Sequence, residues 1–287
     1  MSGSPPFLTH CGPLLQNYDL LLCDVWGVIH NGVESFPPAC EALTRARAEG
    51  ITVQLISNSP RPGQAVLPQL DALHVPRDSY DAMVTSGDVT TTVILQRPGQ
   101  SVFHLGPPRD LPIYQGLNVK LVDLDHADYV VCSGLFDDTR ETPEDYRATL
   151  ERMRARNLFM LCANPDVVVE RGNELVYCAG ALADLYRSMG GDVLYAGKPY
   201  PAIYERTLAW AQSLRKGEVP LHRVLAIGDS VRTDLAGAAA LGVDFLFLTA
   251  GIHAGEIGGD ANPDPKTLKL FFEENRMPKA VMHRLVW

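Results

Sequence analysis

Apolar runs that end in polar residues recur along the 287-residue chain. Leu20-Leu21-Leu22-Cys23 stops at Asp24, and Ile51-Thr52-Val53-Gln54-Leu55-Ile56 stops at Ser57-Asn58-Ser59. Arg223-Val224-Leu225-Ala226-Ile227 stops at Gly228-Asp229-Ser230. Short runs of this kind, bounded by turn formers, predict strands buried on both faces of a parallel sheet. Ala82 to Thr85 and Asp244 to Leu248 add two more. Helical stretches separate them. One spans 39–49, opened by Pro37-Pro38 and closed by Gly50; others span 63–73, 88–95 and 202–214, and one opens at Thr233-Asp234 and runs to Leu241. This alternation predicts an α/β fold with a doubly wound parallel sheet. Ligands of such sheets bind beyond the carboxyl ends of the strands. The polar residues that stop the runs are therefore the candidate chemistry.

Near Arg97-Pro98-Gly99 the rhythm changes. Strand-like runs follow at 102–105, 119–122, 129–132 and 159–162, with a charged amphipathic helix at 144–154 and another at 179–189. Residues 98–192 read as a separate inserted α/β domain, within a core made of 1–97 and 193–287. On this reading Asp192-Val193-Leu194-Tyr195 is again a core strand, residues 1–17 form a lead-in with little regular structure, and helical segments end the chain. Residues 175–185 read as the apolar interior of the insertion.

Charge and composition remove several classes of function. The net charge is −9 and no basic run occurs, which argues against a nucleic-acid partner. No apolar run reaches membrane-spanning length, and the N-terminus lacks a signal-peptide pattern, so no membrane partner is expected. The six cysteines are scattered, without zinc or C-x-x-C spacing. They read as reduced thiols, which places the protein in the cytoplasm.

Taken singly, each polar stop has a bland reading: a helix N-cap for Asp24, Asp229 or Asp234, an ST-turn for Ser57, a surface lysine for Lys198. Taken in order, Asp24, Ser57-Asn58, Gly197-Lys198-Pro199 and Gly228-Asp229 with Asp234 resemble the four motifs of the haloacid-dehalogenase-like superfamily. The insertion falls between the second and third motifs, where class IIA (nitrophenyl-phosphatase-like) members carry a C2-type cap. Asn164-Pro165-Asp166 in the insertion also looks like that class, and the resemblance runs from about Asp19 to Ile252.

The resemblance implies a Mg²⁺-dependent hydrolase of small phosphorylated metabolites, and it is compatible with a homodimer. Asp24, Asp229 and the backbone carbonyl of Trp26 would hold the cation, with Asp234 fixing them from behind. Asp24 would attack phosphorus to give an aspartyl-phosphate. Ser57, the backbone N–H of Asn58 and Lys198 would hold the phosphoryl oxygens, and Asp166 would meet the substrate from the cap. The physics agrees: two carboxylates converging on one sheet edge repel each other unless a hard cation sits between them.

One residue departs from the pattern. Family phosphatases usually carry a second Asp two positions after the nucleophile, as general acid and base; here that position is Trp26. An indole N–H donates but does not titrate near neutral pH. Four readings follow. The chain is a phosphatase restricted to good leaving groups, or one in which His30, His253 or Asp166 stands in for the acid. It is a dehalogenase, whose family members carry an aromatic residue at this position but need no Mg²⁺. It cleaves phosphonates, for which the insertion offers only Lys120 as an amine. Or it binds a phosphometabolite with little or no turnover. Within the insertion, Asp166, Arg171 and the Gly134-Leu135-Phe136-Asp137 loop are the candidates for substrate choice.

Overall fold

The computed structural model describes residues 4–172, 174–258, 263–273 and 277–287. In chain order the strands are β1 (Phe7–Leu8), β2 (Leu20–Cys23), β3 (Thr52–Ser57), β4 (Ala82–Thr85), β5 (Ser101–Leu105), β6 (Lys120–Leu121) and β7 (Tyr129–Cys132). Then come β8 (Phe159–Cys162), β9 (Val168–Arg171), β10 (Glu174–Tyr177), β11 (Val193–Tyr195), β12 (Val224–Gly228), β13 (Asp244–Leu248) and β14 (Ala280–Met282).

The larger sheet has the order β1-β14-β13-β12-β2-β3-β4, and all its pairings are parallel. From β2 the chain winds outward through β3 and β4; from β12 it winds the other way through β13 and β14. The boundary between β2 and β12 is the switch point, where a parallel sheet opens a crevice. Cys23 is in register with Ile227, so Asp24 and the Gly228-Asp229 turn leave the same edge side by side. Apolar clusters cover both faces of this sheet. Leu21, Cys23, Val53 and Leu55 face one side, and Leu20, Leu22, Ile56 and Val84 face the other. Burial on both faces explains why these strands read as unbroken apolar runs.

A second, smaller parallel sheet has the order β11-β8-β7-β5-β6. An antiparallel hairpin, β9-β10, stands apart from both sheets. Here three expectations need correction. Residues 193–195 do not return to the large sheet: Val193 pairs with Met160 and Tyr195 with Cys162. Tyr195 is buried in the apolar cluster of the insertion with Cys162 and Leu182, and its hydroxyl donates to Asp184. A three-residue apolar run carries no mark of which sheet it joins, and here the insertion's sheet extends through Tyr195. Residues 174–177 are a hairpin strand rather than interior, with Leu175 65% exposed. The two ends of the chain are more regular than expected. Phe7–Leu8 and Ala280–Met282 pair with each other at one margin of the large sheet, although a helix, Pro265–Glu273, does precede the last strand.

All six cysteines are free and buried. Among the described residues, no helix is long and apolar enough to cross a membrane. Leu21 is fully buried at the centre of the large sheet. Leu21→Ala should lower stability by about 2–5 kcal/mol, the usual cost of such a cavity, read from the urea midpoint. A smaller loss would mean that the neighbouring strands close over the gap.

Candidate active site

Four residues from three separate stretches of the sequence, Asp24, Lys198, Asp229 and Asp234, meet where β2 and β12 end. The Lys198 ammonium donates to Asp24 Oδ1 at 2.5 Å and to Asp234 Oδ1 at 2.6 Å, and Lys198 is only 2% exposed. Asp229 Oδ2 accepts from the backbone N–H of Ile252, and Asp234 Oδ2 from that of Ser230. Asp234 is set on one wide helical turn, Val231–Leu235, that leads into the helix Ala236–Leu241. Ser230 caps the turn by accepting from the Thr233 N–H. Gly27 is needed for this convergence. Its φ is +80°, and a Cβ there would fall 2.2 Å from Asp229 Oδ2.

The electrostatics are strained. Burial, then the charge of Asp234, lifts the Asp24 carboxyl well above the ordinary range, although Lys198 opposes the shift. Burial and Asp234 likewise push Asp229 up to about 7. Burial works against the Lys198 ammonium too, but Asp234 and Asp24 outweigh it and hold the group above the usual lysine range. Three carboxylates and one ammonium leave an excess of negative charge in a dry place. Oxygens of Asp24, Asp229 and Asp234 lie within 4.8 Å of one another. An all-oxygen donor set of this charge suits a hard divalent cation such as Mg²⁺ or Ca²⁺.

Ser57 and Asn58 end β3 on the same crevice. Ser57 Oγ accepts from the Ser59 N–H, so the turn foreseen as its bland role is present. The Asn58 side chain does something the sequence did not reveal. Its Oδ1 accepts from the Lys198 N–H at 2.7 Å, and its Nδ2 donates to the Lys198 carbonyl at 3.2 Å and to Asp166 Oδ1 at 2.9 Å. It therefore grips the backbone that carries the lysine and also ties down Asp166. A Cβ on Gly197 would lie 2.3 Å from Asn58 Oδ1, so this grip requires glycine there. Asn58 and Asp166, with Asp24, Trp26, Ser57, Asp229 and His253, line a cavity of about 330 Å³.

Trp26 crosses from the core to the insertion. Its indole N–H donates to the Glu170 carbonyl at 2.5 Å, at the end of β9. The Gly172 N–H donates back to the Asn31 carbonyl. The loop after β2 and the hairpin thus hold each other. A second tie lies at Arg232, which pairs with Asp184 of the insertion at 2.5 Å. No local sequence signal marks a backbone carbonyl as a partner, which is why Glu170 was not foreseen.

The candidate substitutes for the missing acid fare differently. His30 is buried and edge-on to Trp26, and its Nδ1 accepts from the Gly32 N–H. Burial pushes its pKa down to about 4, so it is neutral at physiological pH. Both ring nitrogens of His253 are engaged, one by the Val231 N–H and one by Glu256. Asp166 faces the cavity, and burial raises its carboxyl. Of the other cap candidates, Arg171 pairs with Asp138, Phe136 is largely exposed and Leu135 is fully buried.

An edge of two parallel strands that gathers acids, a lysine and a hydroxyl beneath an inserted lid defines a hydrolase of the haloacid dehalogenase type. Residues 21–120 match the family described as haloacid dehalogenase-like hydrolase, and residues 195–268 match the family described as HAD-hydrolase-like. A haloacid dehalogenase-like hydrolase of known structure from Brucella suis is 48% identical, with a TM-score of 0.88, and the match covers 97% of this chain and 100% of that one. The 5'-nucleotidase YutF of Bacillus subtilis is 24% identical, over 83% of this chain and 90% of that protein. A glycerol phosphate phosphatase from Mycobacterium tuberculosis, solved in complex with magnesium, is 22% identical with a TM-score of 0.64, covering 88% of this chain and 78% of that one. The chain belongs to the haloacid dehalogenase-like hydrolase family.

Trp26→Phe keeps an aromatic ring but removes the bond to Glu170. Its loss should cost about 1 kcal/mol locally and weaken hydrogen-exchange protection of the β9–β10 amides roughly fivefold. Unchanged protection would show that the bond does not hold the hairpin.

Proposed function

We propose that the protein hydrolyses small phosphate monoesters with bound Mg²⁺, through an aspartyl-phosphate on Asp24. The observation that carries this reading is the clustering of Asp24, Asp229 and Asp234, the first and last of them bonded to Lys198, at the switch point of the sheet. Asp24 and Asp229 would hold the cation, with the Trp26 carbonyl as a further ligand and Asp234 steadying the set. When bound, Mg²⁺ supplies positive charge that offsets the carboxylates and polarises the phosphoryl group.

The remaining work falls to the chain. Lys198 holds Asp24 Oδ1, and Oδ2 accepts no hydrogen bond among the described residues. That second oxygen attacks phosphorus, and the ester P–O bond breaks. The Ser57 hydroxyl and the Asn58 N–H hold phosphoryl oxygens, and Lys198 places positive charge beside them. Water then cleaves the acyl phosphate, releasing inorganic phosphate and restoring Asp24. Residues 98–195 act as the cap, with the β9-β10 hairpin over the cavity.

The leaving oxygen needs a proton or must depart without one. Trp26 is committed to the Glu170 carbonyl and His30 is buried and neutral. Esters with good leaving groups are therefore the preferred substrates, with Asp166 the candidate acid that the insertion brings to the cavity wall. The need for a charge-balancing cation also sets this reading above the dehalogenase alternative.

With Mg²⁺, p-nitrophenyl phosphate should be turned over faster than an alkyl phosphate by roughly 10²–10⁴, the usual contribution of a positioned acid. Asp24→Asn should reduce both rates to background, and a chelator should do the same. Trp26→Asp should raise the alkyl rate; a fall would assign Trp26 a role that the acid cannot replace. Absence of phosphate release from every ester tested would overturn the reading.

A further inference from the structure

A second cavity, of about 380 Å³, lies on the other side of Trp26. It shares Trp26, Ser57, Asp166 and Val169 with the carboxylate cavity, so the two adjoin at the phosphoryl-binding hydroxyl. Its lining differs in kind. Arg61 enters from the core, four residues after Ser57, and Arg109 and Arg171 enter from the insertion. In a chain of net charge −9, three guanidiniums around one hollow call for a reason.

Two acids answer them only in part. Asp138 accepts from Arg109 at 2.6 Å and from Arg171 at 2.7 Å, one negative charge between two positive ones. Asp110 is 3% exposed and lies 3.9 Å from Arg61 Nε, beyond hydrogen-bond range. Arg61 Nη2 donates to Gln69, while its Nη1 has no acceptor among the described residues. Burial raises the Asp110 carboxyl and lowers the Arg61 guanidinium, as expected for charges that are desolvated without a direct bond. A guanidinium is a planar fork matched to carboxylate and phosphate oxygens, and Arg61 has donors left over.

We propose that this cavity receives the far end of the leaving group and selects phosphate esters that carry a second oxyanion, bound by Arg61 with help from Arg109 and Arg171. The inference rests on the phosphatase reading and narrows its substrate class to acidic phosphometabolites. Phosphorus would sit over Asp24 and Ser57. The ester's carbon chain would pass Trp26 and Asp166, and a carboxylate or second phosphoryl would complete the set of acceptors around Arg61.

The test compares kcat/KM, with Mg²⁺, for p-nitrophenyl phosphate, a three-carbon polyol monophosphate, its carboxylate counterpart and its bisphosphate. At least one acidic ester should exceed the polyol ester roughly tenfold or more, as expected for a charge-assisted pair. Which of the two does so identifies the anion. Arg61→Gln should shrink that acidic-to-neutral ratio to about one, and Arg61→Lys should restore part of it, since it keeps the charge but loses the fork. Arg109→Gln, at a more exposed position, should also lower the ratio and covers the case in which Arg61→Gln does not fold. A ratio near one in the unaltered protein, or one that survives these substitutions, would overturn the inference. If p-nitrophenyl phosphate is still cleaved, the phosphatase reading stands. Failure to cleave any of the four would remove both.

Discussion

Asp24, Asp229 and Asp234 repel one another across less than 5 Å, and each is almost wholly removed from water. At such separations, with little solvent to screen them, like charges cost several kcal/mol unless something opposes them. Lys198 opposes part of the repulsion, and the fold supplies the rest of the restraint. Strands β2 and β12 lie side by side, so the first two acids cannot drift apart. The N–H groups of Ile252 and Ser230 hold carboxylate oxygens in place, and Gly27 lets the backbone come close. Asn58 fixes the backbone from which the lysine reaches in. The site is electrostatically crowded, and a bound cation would relieve the repulsion.

Trp26 changes how the two halves of the molecule communicate. A carboxylic acid at this position would face the crevice and exchange protons with it. The indole instead reaches past the crevice to the hairpin, with His30 packed against its edge. Position 26 is thus a mechanical link between the core and the β9-β10 hairpin. The same side chain forms the partition between an acidic hollow and a basic one.

The sheet and the acid cluster were legible because the central strands of the core are buried on both faces and stop at polar residues. Leu20 to Asp24 and Val224 to Asp229 carry that pattern without interruption. The order of the motifs then gave the placement of the insertion. What was not legible depends on longer range or on the backbone. Val193–Tyr195 is as apolar as a core strand, and only the fold shows that its partner is β8. The β9-β10 hairpin has an exposed Leu175 where an interior was expected. The Asn58 grip and the Glu170 acceptor use main-chain atoms, which every residue possesses and no sequence singles out.

One consequence concerns where the upper sheet can pivot. Strand β11 ends at Tyr195, and by Lys198 the main chain is clasped on both its N–H and its carbonyl by Asn58. Ala196 still donates its N–H to the Cys162 carbonyl, so any movement of the smaller sheet relative to the larger would be taken up at Gly197 on this side. A connection this short has no slack with which to shield the ammonium next to it. Tilting one sheet against the other would pull on the backbone that carries Lys198, and so on its ion pairs with Asp24 and Asp234.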